Sequence, residues 1–121
     1  MSKTILTVDD SRMIREMLLM VLQGAGFNVV QAEDGEDGLA ALKPAKPDII
    51  ITDINMPKLD GYGFIEGVRS DAEYRATPIL VLSTESSTEK KARARAAGAT
   101  GWIVKPFQAD TLLEVIRKVS G

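Results

Sequence analysis

The stretch Asp48-Ile49-Ile50-Ile51-Thr52 is apolar through its middle with no polar alternation, and it runs straight into Asp53. Pro78-Ile79-Leu80-Val81-Leu82 repeats the pattern and runs into Ser83. A strand with one face in water alternates apolar and polar residues, whereas a continuous apolar run of this length suits a strand covered on both faces by helices. The two runs are therefore read as the central strands of a parallel sheet, at residues 48–52 and 78–82. Working outward, residues 4–8, 28–32 and 100–104 supply three further strands, and helical patterns fill the intervals.

Ile14, Met17, Leu18, Val21 and Leu22 fall at i, i+3, i+4, i+7 and i+8, the spacing of one buried helix face, and Gly24 with Gly26 ends that helix. Leu112, Val115, Ile116 and Val119 repeat the pattern near the C-terminus. Asp34 and Asp60, each followed by Gly, are N-cap residues for helices near 35–43 and 61–71, and Ser86 with Glu89 fits a capping box for a helix at 87–97. That fourth helix offers only alanines to the core and Lys90, Lys91, Arg93 and Arg95 to solvent. It is expected to be weakly anchored and free to shift, and its basic face suits plain solvation and partner docking equally.

Strand and helix thus alternate five times. An eight-stranded barrel takes about 250 residues, so 121 residues leave an open, doubly wound α/β sheet with right-handed crossovers. The expected order is 2-1-3-4-5, the flavodoxin-like arrangement with helices on both faces. The carboxyl ends of parallel strands share one edge. Asp9 and Asp10 after the first strand, Asp53 after the third, Ser83 ending the fourth and Lys105 after the fifth should therefore meet in one cleft.

Composition narrows what such a cleft could do. The length suits one domain over 1–121, and 45% hydrophobic with 26% charged residues is ordinary for a globular chain. A formal net charge of -2 gives no basic field, so neither nucleic acid nor a membrane surface is an expected partner. No apolar run approaches the roughly 20 residues of a membrane span, and Met1 to Val8 carries no signal-peptide pattern, so a cytoplasmic location is expected. The absence of Cys and His removes disulfides, thiol nucleophiles, thiolate metal sites and the usual general base. A bound metal would be a hard cation held by oxygens: Mg2+, Mn2+ or Ca2+.

Three carboxylates brought together repel, so at least one pKa should rise unless a cation joins them. Asp10 and Asp53 are the candidate direct ligands, Asp9 a ligand through water, and the backbone carbonyl of Asn55 completes the set on a loop bent by Pro57. A carboxylate with a free oxygen beside a metal suits phosphoryl transfer, with Asp53 as nucleophile forming an aspartyl phosphate. Lys105 would then pair with one phosphoryl oxygen and Ser83 would donate a hydrogen bond to another. Taken singly, Asp10 and Ser11 are ordinary cap residues, Asp53 and Asn55 ordinary turn residues and Lys105 an ordinary loop residue. Their joint placement after strands is what points to chemistry.

Asp9-Asp10-Ser11, Asp53-Ile54-Asn55-Met56-Pro57 with Asp60-Gly61, Leu82-Ser83-Thr84-Glu85 and Lys105-Pro106-Phe107 lie in this order across the whole chain. Together they resemble the receiver domains of two-component response regulators, most closely the free-standing CheY type of chemotaxis receiver. That type is known for the 2-1-3-4-5 order, so topology and resemblance are one expectation and not two. The resemblance implies that Asp53 accepts a phosphoryl group from a phosphohistidine on a histidine kinase, with Mg2+ held through Asp9, Asp10, Asp53 and the Asn55 carbonyl. It implies that Ser83, followed by Thr84, moves toward the phosphoryl group and that the aromatic side chain at position 102 turns inward. Trp102 stands where the family usually has Tyr or Phe, and an indole needs more room and a partner for its N–H; the other reading is a static aromatic on the docking face. Asn55 and Glu85 would flank the path of the hydrolytic water and tune dephosphorylation. The Lys105-Pro106 bond would be cis.

The resemblance further implies a monomeric switch that changes affinity for a downstream target protein. Its output face would comprise the Lys90–Arg95 helix, the fifth strand and the last helix, and its target could be a flagellar motor switch. With the chain read to Gly121 and no output domain attached, the effect is expected through docking. A phosphate sink or another stand-alone signalling receiver would carry the same cleft. A phosphorylation-independent adaptor would be expected to lose an acidic residue or the lysine, and neither is lost. An aspartyl-phosphate phosphatase would need a second Asp two residues after the nucleophile, where Asn55 stands, so the chain is expected to act only on its own phosphoryl group and not as an enzyme.

Overall fold

The computed structural model describes residues 2–120. Five parallel strands, β1 (Thr4–Val8), β2 (Asn28–Ala32), β3 (Ile49–Thr52), β4 (Ile79–Ser83) and β5 (Gly101–Val104), form one sheet in the order β2-β1-β3-β4-β5. Helices α1 (Arg12–Gly24), α2 (Gly35–Ala45), α3 (Gly61–Ser70), α4 (Thr88–Ala97) and α5 (Ala109–Ser120) connect or follow them, and a 3-10 turn at Ala72–Tyr74 sits between α3 and β4. The strand runs and chain length imply the doubly wound sheet, and its order is the expected 2-1-3-4-5.

Unbroken apolar strands become intelligible from the two layers they feed. Successive strand side chains point to opposite faces. Leu6, Val8, Ile50, Ile79 and Val81 therefore face Phe64, Ile65 and Val68 of α3 and Ala94 of α4, while Ile5, Ile49, Ile51, Leu80 and Leu82 face Leu18 and Leu22 of α1 and Leu112 and Ile116 of α5. Each fully buried side chain of this size contributes roughly 1.5–3 kcal/mol. β1 is as interior as the other two, flanking β3 on the side away from β4.

Several boundaries move for local reasons. β3 starts at Ile49, and Asp48 before it is tied to β1 twice, its N–H donating to the Thr4 carbonyl and its carboxylate accepting from the Thr4 N–H, each at 2.8 Å. β4 starts after Pro78, which has no N–H to donate, and extends to Ser83. α2 runs on to Ala45 and contains Pro44 in its last turn, and α3 stops at Ser70. Asp34 and Asp60 are N-caps, accepting from the Asp37 and Gly63 N–H groups. The cap of α4 is Ser87 and not Ser86: the Ser87 hydroxyl accepts from the Lys90 N–H at 3.2 Å. Met17, read as part of the buried face of α1, lies at its edge and is exposed beside Met13 and Met20.

Candidate functional site

Register places the first two acidic positions. Val8 pairs with Thr52 across β1 and β3, so Asp9 and Asp53 leave the sheet side by side. The Asp53 N–H donates to the Val8 carbonyl at 2.9 Å, fixing the two strand ends to each other. On the other side Ser83 pairs with Val104, which puts Lys105 one residue beyond the β4–β5 ladder, and its N–H donates to the Ser83 carbonyl at 2.8 Å. The Lys105–Pro106 peptide is cis, as the resemblance implies.

The Lys105 side chain reaches across this edge and joins the two carboxylates. Its Nζ lies 2.8 Å from Asp9 Oδ2 and 3.0 Å from Asp53 Oδ2. The remaining oxygens are also engaged: Asp9 Oδ1 accepts from the Ser11 N–H at 2.9 Å and Asp53 Oδ1 from the Ile54 N–H at 2.7 Å. Asp10 is exposed, and no side-chain hydrogen bond holds its carboxylate among the described residues. One carboxylate oxygen from each of Asp9, Asp10 and Asp53 lies within 4.8 Å of the others. This is an all-oxygen donor set of a hard divalent cation such as Mg2+, in a chain without Cys or His.

Asp9 is 1% exposed, and burial pushes its pKa above the ordinary carboxylate value. The Lys105 ammonium and the Ser11 N–H pull it down without cancelling the effect, and repulsion from Asp53 is the smallest contribution. A raised carboxylate is thus present as the sequence implies, but desolvation, more than crowding of like charge, raises it. Lys105 loses solvation too, yet its hydrogen bonds and ion pairs with Asp9 and Asp53 outweigh this and hold its pKa above the ordinary lysine value.

Ser83 is fully buried at the end of β4, and its hydroxyl accepts from the Glu85 N–H at 3.2 Å. Thr84 beside it is exposed, as is Asn55 on the loop after β3. The Glu85 carboxylate is engaged by Lys90 at 2.9 Å, and its carbonyl accepts from the Trp102 indole N–H at 2.9 Å. Trp102 is half-buried against the α3 side of the core, so the indole has both the room and the partner it requires. Lys91 and Arg95 are exposed on α4. Arg93 differs from a merely solvated cation, because its guanidinium lies 4.0 Å from the Tyr62 ring centroid.

Sequence reasoning missed three contacts. Arg69 donates to the carbonyls of Gly98, Tyr74 and Thr77, tying the end of α4 to α3 and to the approach to β4. Tyr62 underlies Arg93. Arg15 donates to the Asp9 carbonyl at 2.6 Å. Only the last had a signal, the two cations Arg12 and Arg15 in the first turns of the helix that follows the acidic pair.

The family model for the response regulator receiver domain matches residues 5–117. The chain belongs to that family. Among its relatives, chemotaxis protein CheY-3 of Vibrio cholerae is 39% identical over 116 residues, covering 95% of this chain and 89% of that protein. PilG of Pseudomonas aeruginosa is 34% identical over 93% of this chain and 84% of that one. The solved structure of Vibrio cholerae chemotaxis protein CheY4 superposes with a TM-score of 0.95 at 47% identity, covering 98% of this chain and 99% of that one. The chain is a CheY-like receiver.

Proposed function

We propose that the chain is a phosphorylation-dependent signalling switch with Asp53 as phosphoacceptor. The observation that carries this reading is the seat of Lys105 between Asp53 and Asp9 beside a third carboxylate. Asp9, Asp10, Asp53 and the Asn55 backbone carbonyl would hold Mg2+, which when bound neutralises phosphoryl charge. A carboxylate oxygen of Asp53 attacks the phosphorus of a phosphohistidine on a histidine kinase. The new P–O bond forms as the P–N bond breaks, and the electron pair returns to the imidazole nitrogen, which takes a proton from solvent. Lys105 follows the negative charge from the carboxylate to a phosphoryl oxygen, and the Ser83 hydroxyl donates to another. In the reset, water attacks phosphorus and forms a new P–O bond, the P–O bond to Asp53 breaks, and Asp53 leaves as a carboxylate with inorganic phosphate released. Asn55 and Glu85 border the approach of that water.

Ser83, Thr84 and Trp102 would relay the change to an output face made of α4, β5 and α5, including Lys90, Lys91, Arg93 and Arg95. The hydrogen bond from Trp102 to Glu85 and the Ser83–Glu85 contact support this route, because one loop residue touches both the cleft and the indole. Relatives named for chemotaxis favour a chemotaxis pathway, with a flagellar motor switch as the target in that setting. The chain acts only on its own phosphoryl group. Incubation with phosphoramidate and Mg2+ should load one phosphoryl group per chain and then release phosphate slowly, while sustained turnover of p-nitrophenyl phosphate would overturn this reading in favour of a phosphatase.

A further inference from the structure

Asp10 is the one member of the acidic cluster whose side chain makes no hydrogen bond among the described residues, so its place is set by the backbone of the loop between β1 and α1. That backbone is clamped at Asp9. The Asp9 N–H donates to the Ala32 carbonyl of β2 at 3.1 Å, and the Asp9 carbonyl accepts from Arg15 Nη1 at 2.6 Å. The carbonyl belongs to the peptide plane joining Asp9 to Asp10, so its orientation determines where the Asp10 Cα and side chain go. No other donor reaches it among the described residues. The helix backbone at Arg15 is tied to β2, because Gln31 Nε2 donates to the Arg15 main-chain carbonyl at 2.9 Å.

From this geometry, and resting on the Mg2+-dependent reading above, we infer that Arg15 is a positioning residue that holds Asp10 in the cation-binding arrangement through the Asp9–Asp10 peptide. A guanidinium is suited to this. It stays charged, forms a strong hydrogen bond to a carbonyl and is rigid enough to fix a plane. Groups that hydrogen-bond the residues around a metal typically matter by 10–100-fold in affinity when removed. Electrostatics alone gives the opposite sign, since removing a cation next to three carboxylates should strengthen Mg2+ binding.

That opposition makes the test decisive. Mg2+ affinity is measured by calorimetry on the wild-type chain and on Arg15→Met and Arg15→Lys, with thermal unfolding of each metal-free protein recorded alongside. The expected result is Mg2+ binding about tenfold weaker in Arg15→Met, recovered at least in part by Arg15→Lys, which can still donate to the carbonyl. The loss should exceed anything explained by a shift in unfolding temperature. Binding by Arg15→Met that equals or exceeds wild type overturns the inference, as does an equal loss in both variants. Absence of Mg2+ binding by the wild-type chain would instead sink the phosphoacceptor reading, and the inference with it.

Discussion

Asp9 and Lys105, 96 positions apart in the chain, meet at 2.8 Å across the carboxyl edge of the sheet. The same ammonium is 3.0 Å from Asp53, so one lysine holds two nearly buried carboxylates. Removing the single cation of this group leaves two nearly buried carboxylates uncompensated, which costs more than an exposed pair ever contributes, whereas removing Asp9 leaves Lys105 still paired with Asp53.

Lys105→Ala should therefore lower the stability of the metal-free protein by on the order of 3 kcal/mol in urea denaturation, and saturating Mg2+ should recover part of the loss. The sign with pH follows from the raised lysine pKa. Its stabilisation is complete below the ordinary lysine range and is lost as pH rises through the raised value, so wild type and variant should converge in strong alkali. Equal stability at neutral pH would contradict the pairing.

Asp9 behaves in the opposite way. Its folded-state pKa is raised by burial, so folding favours the protonated form, and the unfavourable contribution is present above the raised pKa and relieved as pH falls through it. Asp9→Asn should stabilise the metal-free chain at neutral pH by roughly 1 kcal/mol, with the gain disappearing at acid pH, and should weaken Mg2+ binding. Urea titrations at several pH values, with and without Mg2+, check both signs.

Trp102→Phe keeps an aromatic ring but leaves the Glu85 carbonyl without its 2.9 Å donor. A hydrogen bond of this kind contributes about 1 kcal/mol, a factor of about five in local opening. Amide hydrogen exchange in residues 84–87 should accelerate by that amount while β1 and β3 stay protected, and unchanged exchange would mean that the indole does not secure the loop.

Gly61, the first residue of α3, lies against the backbone that follows β3. Its N–H donates to the Ile54 carbonyl at 2.8 Å, and a Cβ there would overlap the Asp53 carbonyl oxygen and sit 2.7 Å from the Ile54 Cα. Backbone cannot yield as a flexible side chain can. Gly61→Ala should destabilise by about 2–3 kcal/mol and weaken Mg2+ binding by moving Asp53, both measurable by denaturation and calorimetry.

The sheet was readable because period and continuity are local: Ile49 to Ile51 and Ile79 to Leu82 carry their two-sided burial in their composition. The cleft was readable because chemistry at the ends of parallel strands is confined to one edge, which brings Asp9, Asp53 and Lys105 together and leaves Asp10, one residue further on, for the loop to place beside them. Less accessible were details set by partners distant in sequence. Ser86 and Ser87 are equally good caps by residue type, and only the fold shows that Ser87 meets the Lys90 N–H, while the short turn at Ala72–Tyr74 lies where Arg69 gathers the carbonyls of Gly98, Tyr74 and Thr77. Arg93 looked solvated because nothing in its own helix signals the Tyr62 ring beneath it. The main source of the Asp9 pKa rise was hidden likewise, because the extent of burial belongs to the packed molecule.

The most direct measurement is intact mass after incubation with phosphoramidate and Mg2+, quenched under conditions that preserve acyl phosphates and compared with Asp53→Asn. The wild-type chain should gain the mass of one phosphoryl group only when Mg2+ is present, and Asp53→Asn should gain none. A wild-type mass that stays unchanged, or an equal gain in Asp53→Asn, would contradict the assignment of Asp53 as the phosphoacceptor.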